Sequence, residues 1–176
     1  MKRELNIVVN GESYDLWIEP KTLLVQVIRD MLGLKGTHQA CDSSSCAACT
    51  VLVDGMAVKS CSILALQANG KAVTTIEGLA EGTQLHPIQQ AFIDNWAFQC
   101  GFCTSGQIMA TKALLDENPD PTREEIQMQM DGHLCRCTGY NMINEAIRDA
   151  AKRLQARKNL ESQKWLQTAK SGKGAA

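Results

Sequence analysis

Residues 41–61 read CDSSSCAACTVLVDGMAVKSC, and this stretch holds four of the chain's eight cysteines. Cys41, Cys46 and Cys49 follow a C-x4-C-x2-C spacing, and Cys61 comes after eleven further residues. The other four form Cys100-x2-Cys103 and Cys135-x-Cys137, with no cysteine between 61 and 100. Each half of the chain therefore owns one set of four thiols. Four cysteine donors suit either tetrahedral zinc or an iron–sulfur cluster. The first spacing is the plant-type [2Fe-2S] pattern, in which one loop donates three thiolates, turns backbone N–H groups toward the sulfides, and takes its fourth ligand from elsewhere in a sheet. Structural zinc more often uses two C-x2-C knuckles, whereas this set has one, at Cys46–Cys49.

Working outward, the segment before the first set reads as β-rich. Residues 4–9 (ELNIVV) are apolar and β-branched, and Asn10-Gly11 is a strong hairpin signal. Tyr14, Leu16 and Ile18 then alternate with polar positions. Thr22 is placed to cap a helix running to about Met31, with Leu23, Leu24, Val27 and Ile28 on one face. Strands are expected at Thr50–Val53, closed by Asp54-Gly55, and at 72–76.

From about residue 85 the period becomes helical. Ile88, Ala91, Phe92 and Trp96 fall on one stripe, Ile108 and Leu115 on another, and Ile143, Ala146, Ile147, Ala150, Ala151 and Leu154 on a third. Thr122-Arg123-Glu124-Glu125 is a capping box and Gly132 a natural stop. Four helices are expected. The polar, glycine-containing stretch 77–85 reads as a linker. Cys135 and Cys137 would point apart in a regular helix, so they belong to a turn between Gly132 and Gly139. Cys100 and Cys103 suit a helix start, where the dipole favours thiolates.

Composition removes several function classes. The chain has 176 residues, 44% hydrophobic and 21% charged, with a net charge of −1. That is a globular composition for one domain or two small ones. The charge gives no case for nucleic acid, and 5% aromatics limits stacking surfaces. No apolar run approaches a bilayer span. The start, MKRELNIVVNGESYDL, has no apolar h-region, so no secretory leader is read and a cytoplasmic location is expected. Disulfides are rare in that compartment, which leaves metal or redox chemistry for the thiols. The near-neutral total hides an uneven distribution: residues 158–176 carry four Lys against one Glu, a basic tail ending in SGKGAA. That tail, with Trp165, is a candidate for contact with an acidic partner. His38, His86 and His133 lack ligand spacing to one another and read as surface, capping or hydrogen-bonding residues.

The motifs resemble a known family. Cys41–Val51 (CDSSSCAACTV), Asp54-Gly55 and Ser60-Cys61 look like the first cluster motif of the small iron–sulfur subunit of molybdenum hydroxylases, the xanthine dehydrogenase, aldehyde oxidoreductase and carbon monoxide dehydrogenase superfamily. Gln99–Ala110 (QCGFCTSGQIMA) and Leu134–Tyr140 (LCRCTGY) look like its second, and Thr75–Leu79 (TIEGL) and Asn118–Thr122 (NPDPT) also match. The resemblance implies an α+β chain: a β-grasp, plant-type ferredoxin-like domain over 1–78, a four-helix iron–sulfur domain over 84–157, and the basic tail 158–176. It implies one [2Fe-2S] cluster on Cys41, Cys46, Cys49 and Cys61 and a second on Cys100, Cys103, Cys135 and Cys137. It implies a hetero-oligomer in which a large subunit binds molybdopterin, as its cytosine dinucleotide, and performs the substrate chemistry, and a medium subunit binds FAD. This chain would relay electrons from the molybdopterin site to FAD or another acceptor, with Gln99 and Cys137 nearest the pterin and no catalytic residue of its own. A free-standing two-cluster ferredoxin or redox sensor and a zinc-binding interaction module are the rival readings. Four positions depart from the family: Ser44 and Ala47 where glycine is common, Ser105 where proline is usual, and His133 where asparagine is usual. Glycine at the first two would permit positive φ beside a cluster.

Overall fold

A computed structural model of the protein describes residues 1–170; the SGKGAA end lies outside the described residues. Five strands form one sheet in the order β2-β1-β5-β3-β4. β1 (Arg3–Val9) and β2 (Glu12–Ile18) pair antiparallel around Asn10-Gly11, whose φ values of 52° and 86° are those of a type I′ turn. β3 (Thr50–Val53) and β4 (Met56–Lys59) repeat the device at Asp54-Gly55, with φ of 48° and 83°. β5 (Ala72–Thr74) lies between the hairpins, parallel to β1 and antiparallel to β3. It is shorter than the 72–76 expected, because the chain turns into a 3-10 helix at Ile76–Gly78.

The expected helix after Thr22 is present in altered form. Its α-helical part, α1 (Leu24–Gln26), is followed by a π-helical turn, Val27–Met31. Thr22 does not cap it; the Leu23 N–H donates instead to Gln26 Oε1 at 2.9 Å. Leu24, Val27 and Ile28 still meet Leu5, Ile7, Val9, Val51 and Val53 in one core, so tertiary burial, not the cap, places this segment.

Four helices follow: α2 (Pro87–Asp94), α3 (Thr104–Glu117), α4 (Arg123–Met130) and α5 (Tyr140–Lys170). His86 caps α2, accepting from the Ile88 N–H at 3.2 Å. Thr122 and Glu125 form the expected capping box on α4. Ile88, Phe92, Met109, Ile126, Ile143 and Ile147 are buried together in a second core. The basic residues after 157 continue α5 as far as Lys170, and Trp165 is exposed there. Among the described residues no helix is long and apolar enough to cross a membrane.

Trp96 departs from the stripe the sequence assigned to it. It is 74% exposed and adopts φ 52°, just past the end of α2. The Ala97 N–H donates to Phe92 O at 2.9 Å and the Trp96 N–H to Ile93 O at 3.1 Å. This is a Schellman ending with Trp96 at the left-handed position that glycine normally takes. A bulky L residue there bears about 1–2 kcal/mol of strain.

The two cores meet at β3, which is buried on both faces. Val51 and Val53 face the sheet core, and Leu52 joins the helical one. α3 lies directly on the loop before β3. A Cβ on Gly106 would stand 2.3 Å from Ala47 O and 2.9 Å from Ala48 O, both backbone atoms. Gly106→Ala must therefore push α3 off that loop. An overpacking loss of about 1–3 kcal/mol is expected by chemical denaturation; an unchanged midpoint would refute the close approach.

Candidate functional site

The first cysteine loop is built by backbone curvature. Arg29 Nη1 donates to Lys35 O at 2.8 Å and Thr37 O at 2.6 Å, which fixes the approach to Cys41. Within the loop Ser44 and Ala47 take φ of 58° and 57°. These are two of the four positions where the sequence departs from the family it resembles, and here the left-handed backbone that glycine would supply is adopted without it. Such turns direct successive N–H groups into one concavity, a nest for negative charge. The N–H of Cys46, its thiol, and the N–H groups of Ser43 and Ser45 turn toward the Cys41 sulfur and draw its pKa down to about 6. Burial raises the Cys46 thiol, opposed by the N–H groups of Ala48 and Ala40. Burial likewise pushes Cys49 up to about 11, against a hydrogen bond from the Cys61 N–H. Lys59 Nζ donates to Ser44 O at 3.0 Å and steadies the loop from β4.

The second set is assembled from two turns. Cys100 precedes Gly101, at φ 80°, and Cys103 is the N-cap residue of α3. The Phe102 N–H and the Cys137 thiol lower the Cys100 pKa. Cys103 thus stands at the helix start that the spacing suggested, and burial pushes its thiol up to about 12, with the Cys135 thiol beside it adding to the shift. Cys135 and Cys137 lie in the turn before α5, as their spacing required. That turn is held by the Gly139 N–H on Cys135 Sγ at 3.4 Å, the Cys135 N–H on the Tyr140 hydroxyl at 2.9 Å, and Thr138 at φ 60°. Gln99 Nε2 donates to Cys137 O at 3.0 Å, so the two residues singled out as pterin-facing are brought together.

Among the described residues no three His, Cys, Asp or Glu side chains group tightly enough to hold a single metal ion. The thiols stand instead as four neighbouring pairs: Cys41 with Cys46, Cys49 with Cys61, Cys100 with Cys137, and Cys103 with Cys135. A two-iron cluster takes two thiolates at each iron. Two pairs per set, ringed in the first set by inward N–H groups, are the donors it requires, so the residues present fit a [2Fe-2S] cluster in each set.

One junction joins the sets. The Leu134 N–H, one residue before Cys135, donates to Cys46 O at 3.1 Å. Beside it, Thr50 Oγ1 and His133 Nε2 are 3.3 Å apart. On the other flank the His38 ring stacks on Phe102 with centroids 4.6 Å apart, and its Nδ1 donates to Phe102 O at 2.8 Å. All three histidines are thus capping or hydrogen-bonding residues. Leu134, Thr50 and Gly106 are the junction residues that sequence reasoning missed. Gly106 lies within the quoted QCGFCTSGQIMA motif, whereas a backbone donor such as Leu134 N–H leaves no mark in residue type.

Residues 75–148 match a family described as [2Fe-2S] binding domain. The chain is 44% identical over 152 residues to the nicotinate dehydrogenase small FeS subunit of Eubacterium barkeri, covering 86% of this chain and 97% of that one. It is 41% identical over 167 residues to the aldehyde oxidoreductase iron-sulfur-binding subunit PaoA of Escherichia coli K12, covering 86% and 73%. Among solved structures it superposes on a chain of quinoline 2-oxidoreductase from Pseudomonas putida 86 with a TM-score of 0.83 and 38% identity, covering 88% and 97%.

Two outcomes follow from the site geometry. Ala47→Gly relieves left-handed strain without removing a polar contact and is expected to stabilise the chain by about 1 kcal/mol in denaturant titrations, whereas Ser44→Gly also removes the hydroxyl that accepts from Cys61 Sγ at 3.8 Å and should gain less. His133 is 8% exposed, and its burial, aided by Lys59, lowers its pKa to about 4. The folded value lies below the ordinary 6.5. The stability that the neutral ring contributes is therefore complete above about pH 6.5 and is lost as pH falls toward 4. Between pH 7 and 5.5 this loss amounts to about 1 kcal/mol, and His133→Asn should abolish it. Equal pH slopes in both proteins would contradict the assignment.

Proposed function

We propose, since this chain belongs to the family of small [2Fe-2S] subunits of the molybdenum hydroxylases, that it is the electron-transfer subunit of a multi-subunit oxidoreductase whose substrate chemistry takes place on another subunit. The observation that carries this reading is the arrangement of two thiol pairs on either side of the Leu134–Cys46 hydrogen bond. Residues 1–78 are assigned to a β-grasp ferredoxin-like domain, residues 84–157 to a four-helix domain, and residues 158–176 to a basic extension. Cys41, Cys46, Cys49 and Cys61 would hold the first cluster; Cys100, Cys103, Cys135 and Cys137 would hold the second. Bound clusters supply one-electron stations, so two of them let a two-electron oxidation be drained in steps.

The chain's own residues do the rest. The N–H groups of Ser43, Ser45 and Cys46 stabilise thiolate charge at Cys41. The Leu134–Cys46 bond holds the two ligand loops at a constant separation. Gln99 holds the Cys137 turn, and by family position both face the molybdopterin, as its cytosine dinucleotide, on a large subunit. The first set faces outward, toward an FAD-bearing medium subunit or another acceptor. Substrate choice lies with the large subunit, so relatives named for nicotinate, aldehydes and quinoline can share one small-subunit design. A cytoplasmic setting suits eight thiols kept reduced for metal.

Metal analysis and electron paramagnetic resonance test the reading. The protein should carry about four iron and four sulfide per chain and give two distinguishable signals on reduction. A colourless zinc protein would sink it, and a chain that stays monomeric in its own cell extract would favour a free-standing ferredoxin.

A further inference from the structure

We propose that Trp96, together with Phe98, is the anchor by which this chain docks on the cofactor-bearing large subunit, which presents a concave apolar pocket to the indole. The inference rests on the reading above and deepens it. Trp96 occupies the left-handed end position of α2 at φ 52°, where glycine is the residue without strain. Its ring is 74% exposed, so the fold gains little burial in return. A strained backbone position that carries a large exposed aromatic is the kind of outlier from which a functional contact is inferred.

The surroundings supply the rest of the surface. Phe98 lines an apolar groove of about 300 Å³ between the two halves, with Leu85 and Ile93 also on its wall and Phe92 and Ile108 among the buried residues that line it. Leu85, Ile93 and Phe98 are all exposed large apolar residues, as is Phe102, two residues beyond Cys100. Aromatic side chains that become buried on association dominate interface energetics.

The occupant follows from continuity. Gln99 lies three residues after Trp96 and holds Cys137, and the Cys100 thiol is itself exposed. A subunit that exchanges electrons at the second set approaches Cys100 and Cys137, and Phe98 and Trp96 precede the exposed Cys100 by two and four residues. The first set opens elsewhere, where Arg29, Gln39, Ala40 and Asp42 flank Cys41 on a polar surface. An apolar anchor beside the second set therefore belongs to the large subunit and not to the outward acceptor.

The test is Trp96→Gly in the cluster-loaded chain, with Phe98→Ala alongside. Glycine suits the backbone at 96, so the isolated variant should keep its iron content and melt about 2–4 °C higher than the natural chain. Its dissociation constant for the co-produced large subunit should rise at least about 30-fold, with little dependence on salt, and Phe98→Ala should also weaken binding. Trp17→Ala, at an exposed tryptophan on β2, serves as the control that leaves binding unchanged. Undiminished association of both variants would overturn this inference alone. Loss of a self-associated form of the chain, with large-subunit binding intact, would also overturn it, by making a second copy the occupant. Failure of the natural chain to associate with any cofactor-bearing subunit would overturn the functional reading and this inference together.

Discussion

Helix α3 rests on the Ala47–Ala48 peptides with only the hydrogens of Gly106 between them. That contact sets how closely the helical half can approach the loop that carries the first cysteines. Once α3 is seated, the turn ahead of α5 comes within reach of Cys46 O, and the Leu134 N–H closes on it. Thr50 with His133, and His38 with Phe102, flank the same seam. Directional bonds flank the apolar contact in this seam, so it admits few alternative registers. Two redox stations exchanging electrons need such a fixed separation, and a small helix residue at one position is what makes it available.

Much of this was legible in the residues. Spacing alone divided eight thiols into two sets, and Asn10-Gly11 and the Thr122–Glu125 box mark real structural punctuation. Periodicity placed Ile88, Phe92, Ile143 and Ile147 in a core, where they are. It failed for Trp96, because a stripe counted by residue type continues past the point where the helix ends. It failed for Thr22, whose oxygen is a plausible cap until Gln26 reaches back to do the work. β4 passed unnoticed because a four-residue strand with half-buried positions has little alternation to detect. Contacts made through backbone N–H groups, above all Leu134 to Cys46, are invisible to any reading of side chains.

Strain is concentrated near the thiols. Ser44, Ala47 and Thr138, each in the left-handed region, all lie between or next to cysteines. Residues held in such conformations destabilise the apo chain locally, and the surrounding hydrogen bonds over-determine them. The glycine-like curvature is needed to bring N–H groups inward, while a serine or alanine at these positions restricts the unfolded chain more than glycine would. Loop geometry and ligand-set electrostatics are thus two aspects of one design.

The sharing of β3 between the cores has a consequence for how the molecule comes apart. Leu52 is buried with the helices while Val51 and Val53 on either side are buried with the sheet. Separating the halves would expose the Leu52 face of this strand to water and part Thr50 from His133. The amides of β3 should therefore exchange their hydrogens only through global opening, as the slowest unit of the whole chain. A ribosome that has released only the sheet half has made a strand whose second face is still waiting for α3, a helix encoded some fifty residues later.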